Sequence, residues 1–239
     1  MARKNEIDCL NNVLRILKTS NQSENKTVLA KVISILEDAR ENKDSNAFPD
    51  FISSCGLVEH FIVSASKETR KGSEYKIHET NEKLAISNLI KKKDAAFLSS
   101  ASSPGTMKTI CVQSEFNETS YGCFVSSFKR NVDNHLKSLL RVGNSKGVVV
   151  FLIEQQDGRL SIYKNDSFYK FYLLAKDKIL LNYLKEIKGL VHYVVFNSAG
   201  TVEIIDLSQI DSLLLNADEN QDIRGGRKID LTTKIYIDL

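Results

Sequence analysis

Asp50 and Glu59 are the two side chains whose types and spacing point most directly to chemistry. They flank a short apolar hairpin whose halves are rich in Phe, Ile and Val, which favours strands, and which Cys55-Gly56 interrupts. A turn at Ser54-Cys55 would pair Asp50 directly with Glu59, whereas a turn at Cys55-Gly56 would place them on a diagonal. In either register two like charges share one face, which is unfavourable unless a proton or a cation lies between them.

A divalent cation held by these two carboxylates is one interpretation, and oxygen ligands suit Mg²⁺. A solvated acidic ribbon on the protein surface is the alternative. The second half of the hairpin is apolar on both faces, because Leu57, Phe61 and Val63 alternate with Val58 and Ile62. Strands of this kind are usually covered on both sides, so we favour the metal site.

The elements that must position this pair follow from the apolar pattern of the chain. Apolar residues at helical spacing predict helices, and continuous apolar runs predict buried strands. We expect helices at 6–18, 27–43, about 119–142 and about 167–188, a hairpin at 48–66, and strands at 108–113, 147–153, 159–164, 191–196 and 202–205. This order predicts an α/β domain over residues 1–215, with a mixed β-sheet flanked by helices. A polar segment, 216–239, follows and can add one terminal strand.

Bulk composition is that of a globular protein, with 42% hydrophobic and 26% charged residues among 239. The net charge of +3 is too small to argue for nucleic-acid binding by itself. Four cysteines without CxxC spacing show no zinc motif and no disulfide framework. The longest apolar run, 147–153, is too short to span a bilayer, and the N-terminus has no apolar signal segment. We therefore expect a soluble cytoplasmic protein without a membrane partner.

An acid in a helix, a Pro-Asp dipeptide in a strand and a Glu in the next strand together resemble the PD-(D/E)XK nuclease superfamily. The resemblance covers residues 37–71. It implies a restriction-endonuclease-like core in which Glu37 is the helix acid. Asp50, after Pro49, would be the central ligand of Mg²⁺ or Mn²⁺, and Glu59 would be the second ligand.

The family lysine belongs two residues after the second acid, and Phe61 stands there instead. Lys67 is our first substitute for it, because strand alternation keeps Lys67 on the face of Glu59. Lys71 is the second choice. The resemblance implies that Lys67 orients or activates the attacking water, and that Lys67, Arg70 and Lys71 contact phosphates without reading sequence.

The function implied is a metal-dependent DNA endonuclease that hydrolyses phosphodiester bonds, in the restriction or phage-defence roles usual for the family. Because a nuclease of this class must cut both strands of the DNA, we expect a homodimer or a partner subunit. The alternative is a non-catalytic nucleic-acid- or protein-binding module with a degraded nuclease-like fold, which Phe61 favours. A ribonuclease that uses the basic residues 67–72 is a third and weaker hypothesis.

Overall fold

Six strands form a mixed central sheet in a computed structural model. In their order across the sheet they are β1 (Arg40–Glu41), β2 (Phe51–Ile52), β3 (Gly56–Val63), β7 (Val148–Gln155), β10 (Tyr193–Ser198) and β11 (Thr201–Asp206). β3, β7 and β10 are parallel, whereas β1, β2 and β11 join them through antiparallel pairs. The structure describes residues 2–19, 26–43, 48–66, 68–69, 72–73, 84, 87–88, 90–92, 110–112, 120–143, 147–155, 160–198, 200–218, 221–225 and 231–233.

Helices cover both faces of the central sheet. α1 (Ala2–Thr19) and α2 (Lys26–Asp38) pack on one face, which we call the α1 face, together with Val58 of β3 and Leu152 of β7. α3 (Tyr121–Val142), α4 (Lys178–Glu186) and α5 (Ile210–Leu215) pack on the other, the α3 face, together with Phe61 and Phe151. The predicted α/β class, with a mixed sheet flanked by helices, is confirmed. In the part of the chain that the structure describes, no helix is long and apolar enough to cross a membrane.

A second sheet corrects one predicted helix. It contains β12 (Asp222–Gly225), β8 (Leu160–Lys164) and β9 (Ser167–Phe171) in that order. The helix expected at about 167–188 is wrong in its first half, because Asn165 and Asp166 take positive φ values of 50° and 58° and turn the chain into a hairpin. The helical part, α4, begins only after Asp177, whose carboxylate accepts the N–H of Leu180 at 3.0 Å.

Two short ribbons complete the described strands. β4 (Glu68–Thr69) pairs with β5 (Gly72–Ser73), and β6 (Ile110–Val112) pairs with β13 (Leu231–Thr233). Strands β12 and β13 both lie in the expected polar segment 216–239, so that segment contributes to two sheets.

The hairpin between β2 and β3 has the first of the two registers considered from the sequence. Phe51 pairs with Val58, and Ser53 N–H donates to the Gly56 carbonyl at 2.8 Å, which centres the turn on Ser54-Cys55. Gly56 therefore starts the strand instead of making the turn. A Cβ at Gly56 would lie 2.1 Å from the carbonyl oxygen of Val148, so a glycine is needed where β3 meets β7.

Candidate functional site

The carboxylates of Asp50 and Glu59 are each hydrogen-bonded to a backbone N–H of the opposite half of the hairpin. Asp50 lies one residue before β2, directly across from Glu59 in the observed register. The N–H of Asp50 donates to Glu59 Oε2 at 3.0 Å, and the N–H of His60 donates to Asp50 Oδ2 at 2.8 Å. The two carboxylates are therefore neighbours at one edge of the α3 face, as the hairpin spacing predicted.

His135 of α3 is the third member of this site. Its Nδ1 lies 2.5 Å from Glu59 Oε1, and its ring stacks on Phe61 with centroids 4.4 Å apart and planes at 11°. An ionised carboxylate only accepts, so Nδ1 is the donor when Glu59 is charged. The Glu59 side chain is 7% exposed and that of His135 is 27% exposed, so solvent reaches the pair from the His135 side.

The electrostatics of Asp50 are those of a carboxylate that is costly to ionise. Its burial, and next the negative charge of Glu59, raise the pKa of Asp50 above its ordinary value of 3.8. The N–H of His60 and the imidazoles of His60 and His135 act in the opposite direction but do not cancel the effect. Asp50 Oδ1 receives no hydrogen bond from any described residue. A cation beside this oxygen would relieve the unfavourable charge.

Glu37 is paired elsewhere in the structure, so it does not complete the three-acid metal set implied by the resemblance there. Glu37 forms an ion pair with Lys18 of α1 at 2.6 Å. Ile35 and Leu36 of the same helix are buried in the core of the α1 face, whereas Glu59 lies on the α3 face. The sheet therefore separates Glu37 from the carboxylate that it was expected to assist.

The structure describes the position where the family has its lysine, but not the basic residues predicted to replace that lysine. Phe61, at the position of the family lysine, is 5% exposed and belongs to the core. Lys67, Arg70 and Lys71 lie outside the described residues, so their predicted roles stay predictions.

His135 is the site residue that sequence reasoning missed. It is 76 residues from Glu59 and has no Cys or His partner at metal-ligand spacing. Its one signal is helical position, because it stands three residues after Val132 and four before Leu139, both buried. That spacing places His135 beside the core stripe of α3 but does not identify the strand residue that it meets.

A cavity of about 460 Å³ lies elsewhere, and neither Asp50 nor Glu59 lines it. Tyr121, Asp177, Lys178, Ile179, Asn182, Asp218, Gln221 and Ile223 line it. The Asp177 carboxylate accepts hydrogen bonds from the hydroxyls of Tyr121 and Tyr172, at 2.8 and 2.7 Å, besides capping α4. Because these contacts link α3, α4 and the end of β9, we assign Asp177 a structural role.

Comparison with known proteins adds no identification. No family model, no curated protein and no solved structure matches the chain. The chemistry of the residues described above is therefore the basis for inferring what the protein does.

Proposed function

We propose that the protein is a metal-dependent endonuclease that hydrolyses DNA phosphodiester bonds, with Asp50 and Glu59 as metal ligands. The observation that carries the proposal is that Asp50 and Glu59 face each other across the β2–β3 hairpin, where each carboxylate accepts a backbone N–H from the opposite half, and that burial and the charge of Glu59 raise the pKa of Asp50. An acid pair held in this way favours a bound cation.

The connectivity around the pair supports the same proposal. The central sheet and its helices occur along the chain in the order α2, β1, β2, β3, α3 and β7, with the short strands β4, β5 and β6 between β3 and α3. The Pro-Asp acid stands one residue before β2, and the second acid stands on β3, its neighbour. The resemblance implies a helix followed by a mixed sheet with the two acids on neighbouring strands, and this order supports the proposal.

The residues present suit Mg²⁺ or Mn²⁺. Asp50 and Glu59 supply carboxylate oxygens, which both ions prefer. A metal at this position would polarise the scissile phosphate and lower the pKa of its water. Asp50 and Glu59 would hold that ion, and the hydrogen bonds from backbone N–H groups would keep both side chains in place.

His135 can supply the positive charge that the family obtains from its lysine. Its ring stacks on Phe61, which occupies the lysine position, and its Nδ1 is hydrogen-bonded to Glu59 Oε1. A protonated imidazole there would balance negative charge that develops on the phosphate. Lys67 remains the substitute expected from the sequence, and the two candidates are separated by substituting each in turn.

The second candidate function is a non-catalytic nucleic-acid- or protein-binding module with the same fold. Phe61 is buried where a catalytic lysine is expected, and Glu37 is paired with Lys18. Both oxygens of Glu59 already accept hydrogen bonds. These observations are typical of a site whose carboxylates have become structural.

Cleavage of plasmid DNA, linear DNA and RNA with Mg²⁺ or Mn²⁺ tests the proposal, in wild type, Asp50→Asn and Glu59→Gln. Glu37→Gln is the matched control, because its carboxylate lies on the other face. We expect the two site variants to lose at least about 100-fold in rate, since even residues that only orient a metal ligand contribute about 10–100-fold. The control should keep wild-type activity. No cleavage and no metal binding by wild type would favour the binding module, and cleavage of RNA alone would favour a ribonuclease.

A duplex cutter needs two active centres, so we expect a homodimer or a partner subunit to accompany double-strand cleavage. Sedimentation of the active species on a short duplex tests this part of the proposal. Nicking of one strand by a monomer would contradict it. A restriction or phage-defence role remains a proposal, with protection of cells from phage as its test.

A further inference from the structure

A second cluster of metal-ligand side chains lies on the α1 face, behind the carboxylate pair. Cys9 of α1, His60 of β3 and Glu154 of β7 each offer one ligand atom, and these atoms all lie within 4.8 Å of one another. His60 Nε2 is already 3.2 Å from Glu154 Oε2. The parallel register pairs Ile62 with Glu154, so Glu154 and His60 are diagonal neighbours on the same face.

The cluster is largely closed to solvent. Cys9 is 4% exposed, the His60 side chain is 3% exposed and that of Glu154 is 23% exposed. Val13, Val58 and Leu152, which belong to the same core as Cys9, are fully buried. A thiol, an imidazole and a carboxylate are expensive to bury together unless they are partnered, so their convergence in an apolar core needs an explanation.

Asn197 of β10 gives a second, independent observation at the same place. Its amide nitrogen donates to Cys9 Sγ at 3.7 Å. Asn197 is 5% exposed, and its Oδ1 is buried without a hydrogen-bond partner among the residues that the structure describes. A buried acceptor of this kind is uncommon in proteins and indicates a missing donor or ligand.

A catalytic cysteine is the rival interpretation, and the environment of Cys9 argues against it. Burial, and next the negative charge of Glu154, raise the pKa of Cys9 to about 12. Reactive cysteines sit in electropositive and partly exposed surroundings that lower the pKa instead. A thiol this difficult to ionise is a poor nucleophile by itself, although a bound cation would deprotonate it.

We propose that Cys9, His60 and Glu154 bind a thiophilic divalent cation, with Zn²⁺ as the ion that best fits the donor set. Thiolate, imidazole and carboxylate are the three zinc ligands found in proteins. Zinc bond lengths place tetrahedral ligand atoms roughly 3.3–3.8 Å apart, so the cluster needs a contraction of about 1 Å at its widest. Three protein ligands leave one position for water, and Asn197 Oδ1 is an acceptor for its proton.

This inference does not depend on the nuclease proposal. The site on the α3 face has two carboxylates and suits Mg²⁺ or Mn²⁺, whereas a thiolate selects softer ions. The two sites share β3 but no side chain. Zinc binding can therefore be present when DNA cleavage is absent, and the reverse also holds.

The test is titration of the chelator-treated full chain with Zn²⁺ and with Co²⁺, followed by calorimetry and absorption spectroscopy. In the Asp50→Asn background, which removes a ligand from the carboxylate site on the α3 face, we expect one Zn²⁺ per chain and, with Co²⁺, a thiolate-to-cobalt charge-transfer band. Cys9→Ser should abolish the band and weaken Zn²⁺ binding by about 100-fold or more. Cys55→Ser is the matched control, because Cys55 is an exposed cysteine outside the cluster. Asp50→Asn should leave the thiolate-to-cobalt charge-transfer band unchanged, because Asp50 lies on the other face of the sheet.

Equal Zn²⁺ affinity in Cys9→Ser and Cys55→Ser would overturn the proposal, and so would a Co²⁺ complex without the charge-transfer band. If Cys9→Ser does not fold, a variant that keeps Cys9 as its single cysteine decides the question. That variant carries Cys55→Ser, Cys111→Ser and Cys123→Ser. It should retain the Zn²⁺ site that contains Cys9 and the cobalt band, and loss of both in the folded variant would likewise overturn the proposal.

Discussion

Glu59 and His60 are consecutive residues of β3 whose side chains lie on opposite faces of the central sheet. Glu59 contacts His135 of α3, whereas His60 contacts Glu154 on the α1 face. The N–H of His60 also donates to Asp50, so the peptide between the two side chains supports the carboxylate pair. Strand alternation directs the two side chains to opposite faces, where each meets a different cluster of ligand-type residues.

Asp50→Asn should stabilise the metal-free protein at neutral pH by about 0.5–1 kcal/mol, because it removes a like charge facing Glu59. The new amide oxygen can still accept the N–H of His60. Folding raises the pKa of Asp50, so the wild type loses stability as pH rises from 3.8 through the raised value. The advantage of Asn should therefore vanish below pH 3.8. Urea denaturation with EDTA measures both effects, and a less stable Asp50→Asn at neutral pH would contradict this account of Asp50.

His135→Phe should destabilise the protein by about 1–3 kcal/mol, because it leaves a buried carboxylate oxygen of Glu59 without a donor. The new ring can keep the stacking on Phe61, so the loss reports the hydrogen bond. A double-mutant cycle with Glu59→Gln measures the coupling between the two side chains. The interpretation fails if His135→Phe costs the same with Glu and with Gln at position 59.

Gly56→Ala should cost about 2–3 kcal/mol, because its Cβ would collide with the backbone of Val148 and disturb the pairing of β3 with β7. Gly122→Ala is the matched control, since a Cβ at Gly122, in the first turn of α3, meets no atom of the described residues within 4 Å. That substitution should be neutral or stabilising by up to about 1 kcal/mol. Thermal and urea denaturation of both variants measures the difference. Equal stability of the two variants would show that β3 and β7 can separate at little cost.

The sequence predicted what depends on local pattern. The Asp50–Glu59 pair is set by one short hairpin, so its alternation and turn are readable from nearby residues. The central strands β7 and β10 are long apolar runs, and α3 has a persistent helical stripe. In contrast, residues 167–171 form a strand because the Asn165-Asp166 turn starts a hairpin, although their aromatic spacing also suits a helix.

The long-range parts of both sites could not be predicted. Glu37 was expected beside Asp50, but no local pattern states which face of the sheet a helix will cover. His135 meets Glu59 only because α3 crosses β3 at one point, and Cys9 reaches Glu154 from 145 positions earlier in the chain. These contacts depend on tertiary packing, which single-sequence periodicity does not report.

The most direct test of the central claim is Mn²⁺ binding by chelator-treated wild type, Asp50→Asn and Glu37→Gln, measured by calorimetry and electron paramagnetic resonance. The account predicts one Mn²⁺ site that Asp50→Asn weakens by at least about 100-fold and that Glu37→Gln leaves unchanged. Equal Mn²⁺ affinity in wild type and Asp50→Asn would contradict the claim that Asp50 and Glu59 form a metal centre.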